Sequence, residues 1–349
     1  MGMLSRNIAI DLGTANARLF VLGKGLVIDE PSVVAVESGR VVAAGTEARR
    51  MAGCAAVAVE HPLRNGAIAD FGLAESMLRH FIARANRWGR VAPPRLAVAV
   101  PSGATDVERR AVMDVTYRAG ARSVHLVEVP VAAALGCGLT IGDARAVLTV
   151  DIGAGTTDVA ILSVGGVVLA HTARVGGNDV DRAIASYVRS EYAMLIGEQT
   201  DEQHTTDASG GVALTGRWKA SGLPGAVALD AEEVARAAAE PITAIVATVR
   251  NVLEHCPPEL SGDLMDRGIA LTGGGALLHG LADVMREETR LPVQTADDPR
   301  SAVVIGTARH LGGLEAPKGT RRRARAALVF DGQDPETGSC VRRLDAGGG

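Results

Sequence analysis

The sequence predicts an α/β protein of two related halves that face one another across a cleft. Three observations predict it: a strand-turn-strand segment near the start, a second copy in mid-chain, and strand–helix alternation after each. The first copy reads Ile8-Ala9-Ile10-Asp11-Leu12-Gly13-Thr14-Ala15-Asn16 and the second Leu148-Thr149-Val150-Asp151-Ile152-Gly153-Ala154-Gly155-Thr156-Thr157-Asp158. Each is a buried apolar strand that ends in Asp, any residue, Gly and small hydroxyl residues, then returns as a second strand over 17–22 or 159–164. One such Gly-Thr turn is common to any β-hairpin. Two of them, each with Asp at the strand end, point to a single anionic ligand shared by both halves.

The ligand class follows from charge. A triphosphate is densely negative, so bare backbone N–H groups must approach it closely, which glycine and small residues permit. Carboxylates repel phosphates and belong around Mg²⁺, which keeps most of its waters and takes one or two carboxylates plus phosphate oxygens. Asp11 and Asp151 are the candidates for holding that ion through its waters, and for the catalytic centre. The plain alternative is two ordinary hairpins whose aspartates initiate turns.

At 349 residues the chain exceeds one ordinary core, so two domains are expected. A hydrophobic fraction of 47% with 22% charged residues is that of a globular protein. The net charge of −4 supplies no basic field, so no nucleic acid is expected as partner. Cys54, Cys137, Cys256 and Cys340 are scattered without a C-x-x-C pair, which suggests a reducing cytosol and neither zinc nor disulfides. His255 beside Cys256 reads as a helix-end pair rather than a metal site. No apolar run approaches a spanning helix, and the six residues before the first strand are too short for a signal peptide. The expectation is a cytoplasmic protein.

Strands are expected over 7–45, including 25–29, 32–37 and 40–43. An amphipathic helix follows over 73–87, with Leu73, Met77, Leu78, Phe81 and Ile82 on one face. A strand over 96–100 closes at Pro101-Ser102-Gly103, and the next helix opens with a capping box, Thr105 to Glu108, and stops at Gly120. A strand over 125–127 leads into a helix at 132–135. The second half repeats the plan: strands over 146–171, a helix after Gly176-Gly177-Asn178-Asp179, a polar and irregular stretch over 199–226, and a long helix over 230–254. A strand over 269–272 runs into Gly273-Gly274-Gly275-Ala276, where a helix begins; a strand near 292–294 and a helix over 301–311 complete the half. The tail from 315 to 349 carries Arg321-Arg322-Arg323-Ala324-Arg325 in a weakly patterned segment and reads as disordered and basic, either a solvated tail or a polyanion or anionic-lipid contact.

In these segments the chain resembles the MreB/Mbl family of bacterial actins, the rod shape-determining proteins. The resemblance rests on IDLGTAN (10–16), GKGLVIDEPSVVAV (23–36), VPSGATDVERRAV (100–112), VDIGAGTTDVAIL (150–162), RVGGNDVD (174–181), PPELSGDLMDRGIALTGGGALLHGL (257–281) and ADDP (296–299), and covers nearly everything up to about residue 312. It implies an actin-like ATPase fold: two ribonuclease-H-like domains closing on ATP and Mg²⁺. Domain I would span 1–142, completed by a C-terminal helix at about 301–314; domain II would span 143–300, with a shortened subdomain IIB at about 199–231. Carried over from the family, Gly13, Thr14, Ala15 and Asn16 would line the phosphates from one side, and Gly153, Ala154, Gly155 and Thr156, with Gly177, from the other. Gly273, Gly274, Gly275 and Ala276 would seat phosphate or adenosine at a helix start. Glu198, Gln199, Thr200 and Asp201 would contact ribose and adenine.

Four departures carry consequences. The family places a water-orienting Glu immediately before the proline of an alanine-rich helix, and here Val129 precedes Pro130. Valine neither accepts a proton nor holds a water, and losing such a group costs about 10²–10⁴ in rate. ATP is therefore expected to be bound but hydrolysed slowly or not at all, while Glu128 would point away if 127–129 continued a strand. Arg18 stands where most family members have an apolar residue; it either reaches the phosphates as a fixed cation or occupies an exposed strand position. Subdomain IIB looks abbreviated and lacks the lysine expected near Thr205, which weakens the adenosine assignment and any filament contact there. The basic tail has no counterpart in the usual family ending.

The resemblance implies a cytoskeletal protein that polymerises with itself beneath the cell membrane and helps position cell-wall synthesis. Further expected partners are a second MreB-type protein, membrane morphogenesis proteins, and an anionic membrane surface met through Trp88 in the 86–93 loop; alternatively Trp88 caps the preceding helix. Many weak copies on a polymer would bind by avidity. The competing readings are a non-hydrolysing paralogue that regulates or copolymerises with a standard MreB, a small-molecule kinase, which needs a base facing an acceptor pocket, and a chaperone, which needs a large C-terminal domain.

Overall fold

A computed structural model of the chain describes residues 6–86, 92–142, 144–197 and 211–315. The Trp88 loop, Glu198 to Asp201, Thr205 and the basic tail lie outside these residues. The first half opens with β1 (Asn7–Leu12), β2 (Asn16–Val21), β3 (Gly25–Pro31), β4 (Val34–Glu37), β5 (Arg40–Ala44) and the short helix α1 (Thr46–Arg50). Three short strands, β6 (Ala58–Glu60), β7 (Leu63–Arg64) and β8 (Ala67–Ile68), lead to α2 (Phe71–Ala85). Then come β9 (Arg95–Val100), α3 (Asp106–Arg118), β10 (Ser123–Glu128) and α4 (Val129–Gly136). The second half contains β11 (Val147–Ile152), β12 (Thr157–Ser163), β13 (Gly166–Ala173), α5 (Gly177–Glu191), β14 (Met194–Ile196), β15 (Val212–Trp218) and β16 (Pro224–Leu229). It ends with α6 (Ala231–Glu254), α7 (Pro258–Arg267), β17 (Ile269–Thr272), α8 (Leu281–Thr289), β18 (Val293–Thr295) and α9 (Ala302–Glu315).

The duplication read from the sequence is present in the topology. One five-stranded sheet has the order β10-β9-β1-β2-β3, the other β18-β17-β11-β12-β13. In both, the strand bearing the aspartate is central, antiparallel to its hairpin partner and parallel to the strand on its other side.

Strand alternation divides each sheet into an outer and an inner face. Ile8, Ile10, Leu96 and Val98 pack outward with Met77, Leu78 and Phe81 of α2. Burying each of these side chains contributes about 1.5–3 kcal/mol. The intervening small residues Ala9, Ala97 and Ala99 face inward, where α4 and α9 approach. In the second sheet Leu148, Val150 and Ile152 pack with α6, α7 and α8, while Val147, Ala160 and Leu162 share a cluster with Ala134 of α4. Helix α4 thus touches both sheets.

Local chemistry explains the helix starts. The Asp70 carboxylate accepts a hydrogen bond from Leu73 N (2.9 Å) at the start of α2. Thr105 with Glu108, and Asp230 with Glu233, form capping boxes on α3 and α6. Two expectations need correction. The stretch read as irregular over 199–226 contributes β15 and β16, which join β14 in a three-stranded sheet around Met194, Val212, Leu214 and Leu229. Its Gly content masks the buried alternation Val212, Leu214. The triple-glycine strand also opens not into an α-helix but into one turn of 3₁₀-helix, Gly274–Leu277, before α8.

Candidate functional site

Parity decides where the two aspartates point. Asp11 lies two residues after Ala9 and Asp151 two after Thr149, so both occupy the inner faces of their sheets. Their hairpin turns are closed alike: Gly13 N donates to Asn16 O (3.1 Å) and Gly153 N to Thr156 O (2.8 Å). The first turn is braced by Ser32, whose hydroxyl donates to Gly13 O (2.7 Å) and whose N–H donates to Ala15 O (2.7 Å). The second is braced by α5, where Gly177 N donates to Gly153 O (3.0 Å) and Asn178 N to Ala154 O (2.8 Å). Gly177 therefore supports the turn with its N–H.

The two turns meet. A Cβ on Gly155 would lie 2.8 Å from Thr14 Oγ1, so only glycine lets the second turn approach the first. Gly273, at φ +83, brings the third glycine segment in beside the strand that carries Asp151: a Cβ there would lie 2.2 Å from Ile152 O. Asp11, 13–16, Asp151, 153–156 and 273–276 are thus brought to one place.

The electrostatics single out the two carboxylates at the same place. Asp151 is buried, with 7% exposure, and accepts a hydrogen bond from Thr272 Oγ1 (2.7 Å). Burial pushes its carboxyl up to about 7, against the Thr272 hydrogen bond and the Arg18 charge, with Asp11 and Asp158 adding repulsion. Burial likewise pushes Asp11 up to about 6; the charge of Arg18 opposes this and that of Asp29 adds to it. Two desolvated carboxylates that repel one another favour a shared cation. The set suits Mg²⁺, which needs few protein ligands; among the described residues no cluster of three or more His, Cys, Asp or Glu could hold a metal by itself. A surface depression of about 380 Å³ lies elsewhere, lined by α6 residues such as Ile242, Val246 and Arg250 and by α8 residues Val284 and Glu288.

One residue that the sequence reading did not single out, Asp158, adjoins these strand ends. Asp158, the cross-strand partner of Asp151, accepts from Ser102 N (3.0 Å) and from Thr172 Oγ1 (2.6 Å). Its place in the second motif was a signal for it. Glu128 does not extend a strand into 129: β10 ends at Glu128 and Val129 opens α4. The Glu128 carboxylate pairs with Arg109 (3.2 Å) and Ser102 Oγ (3.4 Å), while Val129 is buried among Ala132 and Val127. Arg18 is not an exposed strand residue, since its side chain is 13% exposed. His255 caps α6, its Nδ1 lying 2.8 Å from Asn251 O.

Comparison with known proteins agrees with this architecture. A sequence model of the MreB/Mbl protein family matches residues 5–318. The cell shape-determining protein MreB of Escherichia coli K12 is 44% identical over 322 residues, 87% of this chain and 93% of that protein. The cell shape-determining protein Mbl of Bacillus subtilis is 41% identical over 325 residues, 90% and 98% respectively. The crystal structure of Spiroplasma citri MreB5 bound to AMPPNP superposes with a TM-score of 0.80 at 35% identity, covering 87% of this chain and 95% of that one.

Proposed function

The chain belongs to the MreB/Mbl protein family, and from that premise we propose that it is an actin-like cytoskeletal protein that binds ATP with Mg²⁺ and assembles into filaments that help set cell shape. The observation that carries the reading is the pair of equivalent strand ends, Asp11 and Asp151, each followed by the same closed turn and both on inner faces. In this reading domain I is 1–142 with α9 and domain II is 143–300, and the nucleotide lies between them. The turns 13–16 and 153–156 and the segment 273–276 hold the phosphates, and Glu198 to Asp201 the nucleoside. Asp11 and Asp151 hold Mg²⁺ through its waters; the ion would supply charge neutralisation at the phosphates.

Val129 supports slow or absent hydrolysis, because no proton acceptor stands where the family resemblance places one, and Glu128 is engaged by Arg109 and Ser102. That substitution also favours a second reading, a non-hydrolysing paralogue that copolymerises with or regulates a standard MreB. We further place the filament at the inner face of the cell membrane, near the machinery of cell-wall synthesis. The attachment in this reading is peripheral; no helix among the described residues is long and apolar enough to cross a membrane.

The test is nucleotide content, phosphate release and electron microscopy on the same purified protein, with pelleting in the presence of ATP and anionic vesicles. Filaments with bound ATP and little phosphate release are expected. Val129→Glu is expected to raise the release rate by about tenfold or more. A wild-type rate unchanged by Val129→Glu refutes the hydrolysis reading, and a protein that neither binds ATP nor sediments refutes the cytoskeletal one.

A further inference from the structure

Strand pairing sets three charged residues in one row of the first sheet. Asp29 on β3 faces Arg18 on β2, and Arg18 faces Asp11 on β1. Direct cross-strand partners share a face of the sheet, so the row lies on the inner face with Asp11. In the second sheet the place equivalent to Arg18 is held by Asp158, which faces Asp151. The duplication is broken at this pair in charge: a cation in one lobe, a carboxylate in the other.

The guanidinium is close to its neighbours without being consumed by them. Arg18 Nη1 stands 3.7 Å from Asp11 Oδ2, beyond hydrogen-bond reach, and Nε stands 3.1 Å from Asp29 Oδ1. Nε is buried and makes no hydrogen bond among the described residues. Asp29 is 43% exposed, so its half of the arrangement resembles a surface ion pair of small worth. A guanidinium offers a rigid fork of donors matched to phosphate oxygens. It also repels a dication placed against the same carboxylate.

We propose that Arg18 is a resident cation of the nucleotide site, binding a phosphate beside Asp11 and supplying charge neutralisation that would otherwise depend wholly on Mg²⁺. The proposal rests on the nucleotide reading above and deepens it: the chain binds ATP with reduced dependence on divalent metal. A purely structural brace would alter folding stability but not the ratio of affinities with and without metal.

The test is calorimetric titration of ATP in excess Mg²⁺ and in EDTA, for the wild type, Arg18→Leu and Arg18→Lys. Replacing Mg²⁺ by EDTA is expected to weaken the wild type by about tenfold or less, and Arg18→Leu by at least about a further tenfold, the scale of one charge-assisted hydrogen bond. Arg18→Lys is expected to retain most of the metal-free binding. If Arg18→Leu fails to fold, judged by circular dichroism, Arg18→Gln takes its place with the same expectation. Equal Mg²⁺/EDTA ratios in wild type and variant overturn the role of Arg18 while leaving nucleotide binding intact. No ATP uptake in either condition removes the nucleotide reading, and this proposal with it.

Discussion

Asp11 and Asp151 give the site a pH signature of their own. Both carboxyls sit above the ordinary value of 3.8, near 6 and 7, chiefly because burial disfavours their charge. A raised folded-state value means that the folded chain binds more protons than the unfolded one between about pH 4 and pH 7. Stability is therefore fully present below the unfolded value and lost as pH rises through the folded values, by up to about 1.4 kcal/mol per pH unit per site. The melting temperature of the nucleotide-free protein is expected to fall from about pH 5 to about pH 7.5. Asp151→Asn, which has no charge to desolvate, should flatten much of that decline, and Mg²⁺ with ATP should flatten it in the wild type by giving the ionised carboxylates a partner. Calorimetric melting across this range checks it; parallel curves for wild type and Asp151→Asn would count against desolvated carboxylates at the site.

Among the elements, α4 and α9 make the closest crossing. A Cβ on Gly136 would lie 1.9 Å from Ala302 O, and one on Gly306 would lie 1.7 Å from Ala132 O. Both clashes are with backbone, so neither neighbour can rotate away. Gly306→Ala is expected to lower stability by about 1–3 kcal/mol or more, the cost of overpacking, whereas Gly262→Ala, where a Cβ meets nothing, should not. Denaturant melts of the two variants compare these costs, and equal midpoints would refute the crossing as a tight one. That crossing was not legible in the sequence, because a glycine required by a neighbouring backbone looks like any other. What was legible were the features with a period or a local chemistry: the paired Asp-x-Gly turns, the capping box of Thr105, the apolar face of α2. The β15–β16 hairpin was missed because Gly216 takes an inward position without an apolar side chain and Ala213 puts an apolar one on the exposed face, and because its register is set by β14. Likewise the row Asp29, Arg18, Asp11 exists only through strand pairing, which a linear reading cannot supply.

For the whole molecule the question is what holds the two lobes at their present spacing, since in the proposed reading the nucleotide lies between them and its apparent affinity scales with the fraction of molecules in the binding-competent arrangement. Polar contacts cross between the halves in two groups, one around Arg174, whose Nη1 also donates to Asn65 O (3.0 Å), and one around Asp158. Arg174 Nη2 donates to Glu108 (2.7 Å) with Arg174 half exposed, a pair worth about 0–1 kcal/mol in water. Asp158, by contrast, is 1% exposed and accepts from Ser102 N (3.0 Å), while Gly103 N donates to Thr172 Oγ1 (2.8 Å), itself bound to Asp158. Hydrogen bonds to a charged acceptor contribute about 1.5–3 kcal/mol, so Asp158 is expected to outweigh the Arg174–Glu108 pair in holding the lobes together. Asp158→Ala removes the acceptor that ties the loop after β9 to the second sheet, and lowers the fraction of closed molecules. Apparent affinity for ATP falls in proportion to that fraction, by about tenfold for a contact of this size. Small-angle scattering of nucleotide-free Asp158→Ala should show a larger radius of gyration than the wild type, and ATP with Mg²⁺ should restore it. Glu108→Ala should change neither quantity by more than about twofold. Identical scattering and identical ATP affinity in Asp158→Ala and wild type would mean that Asp158 does not hold the lobes, leaving that role to the packing through α4 and α9 and the contacts of Arg174.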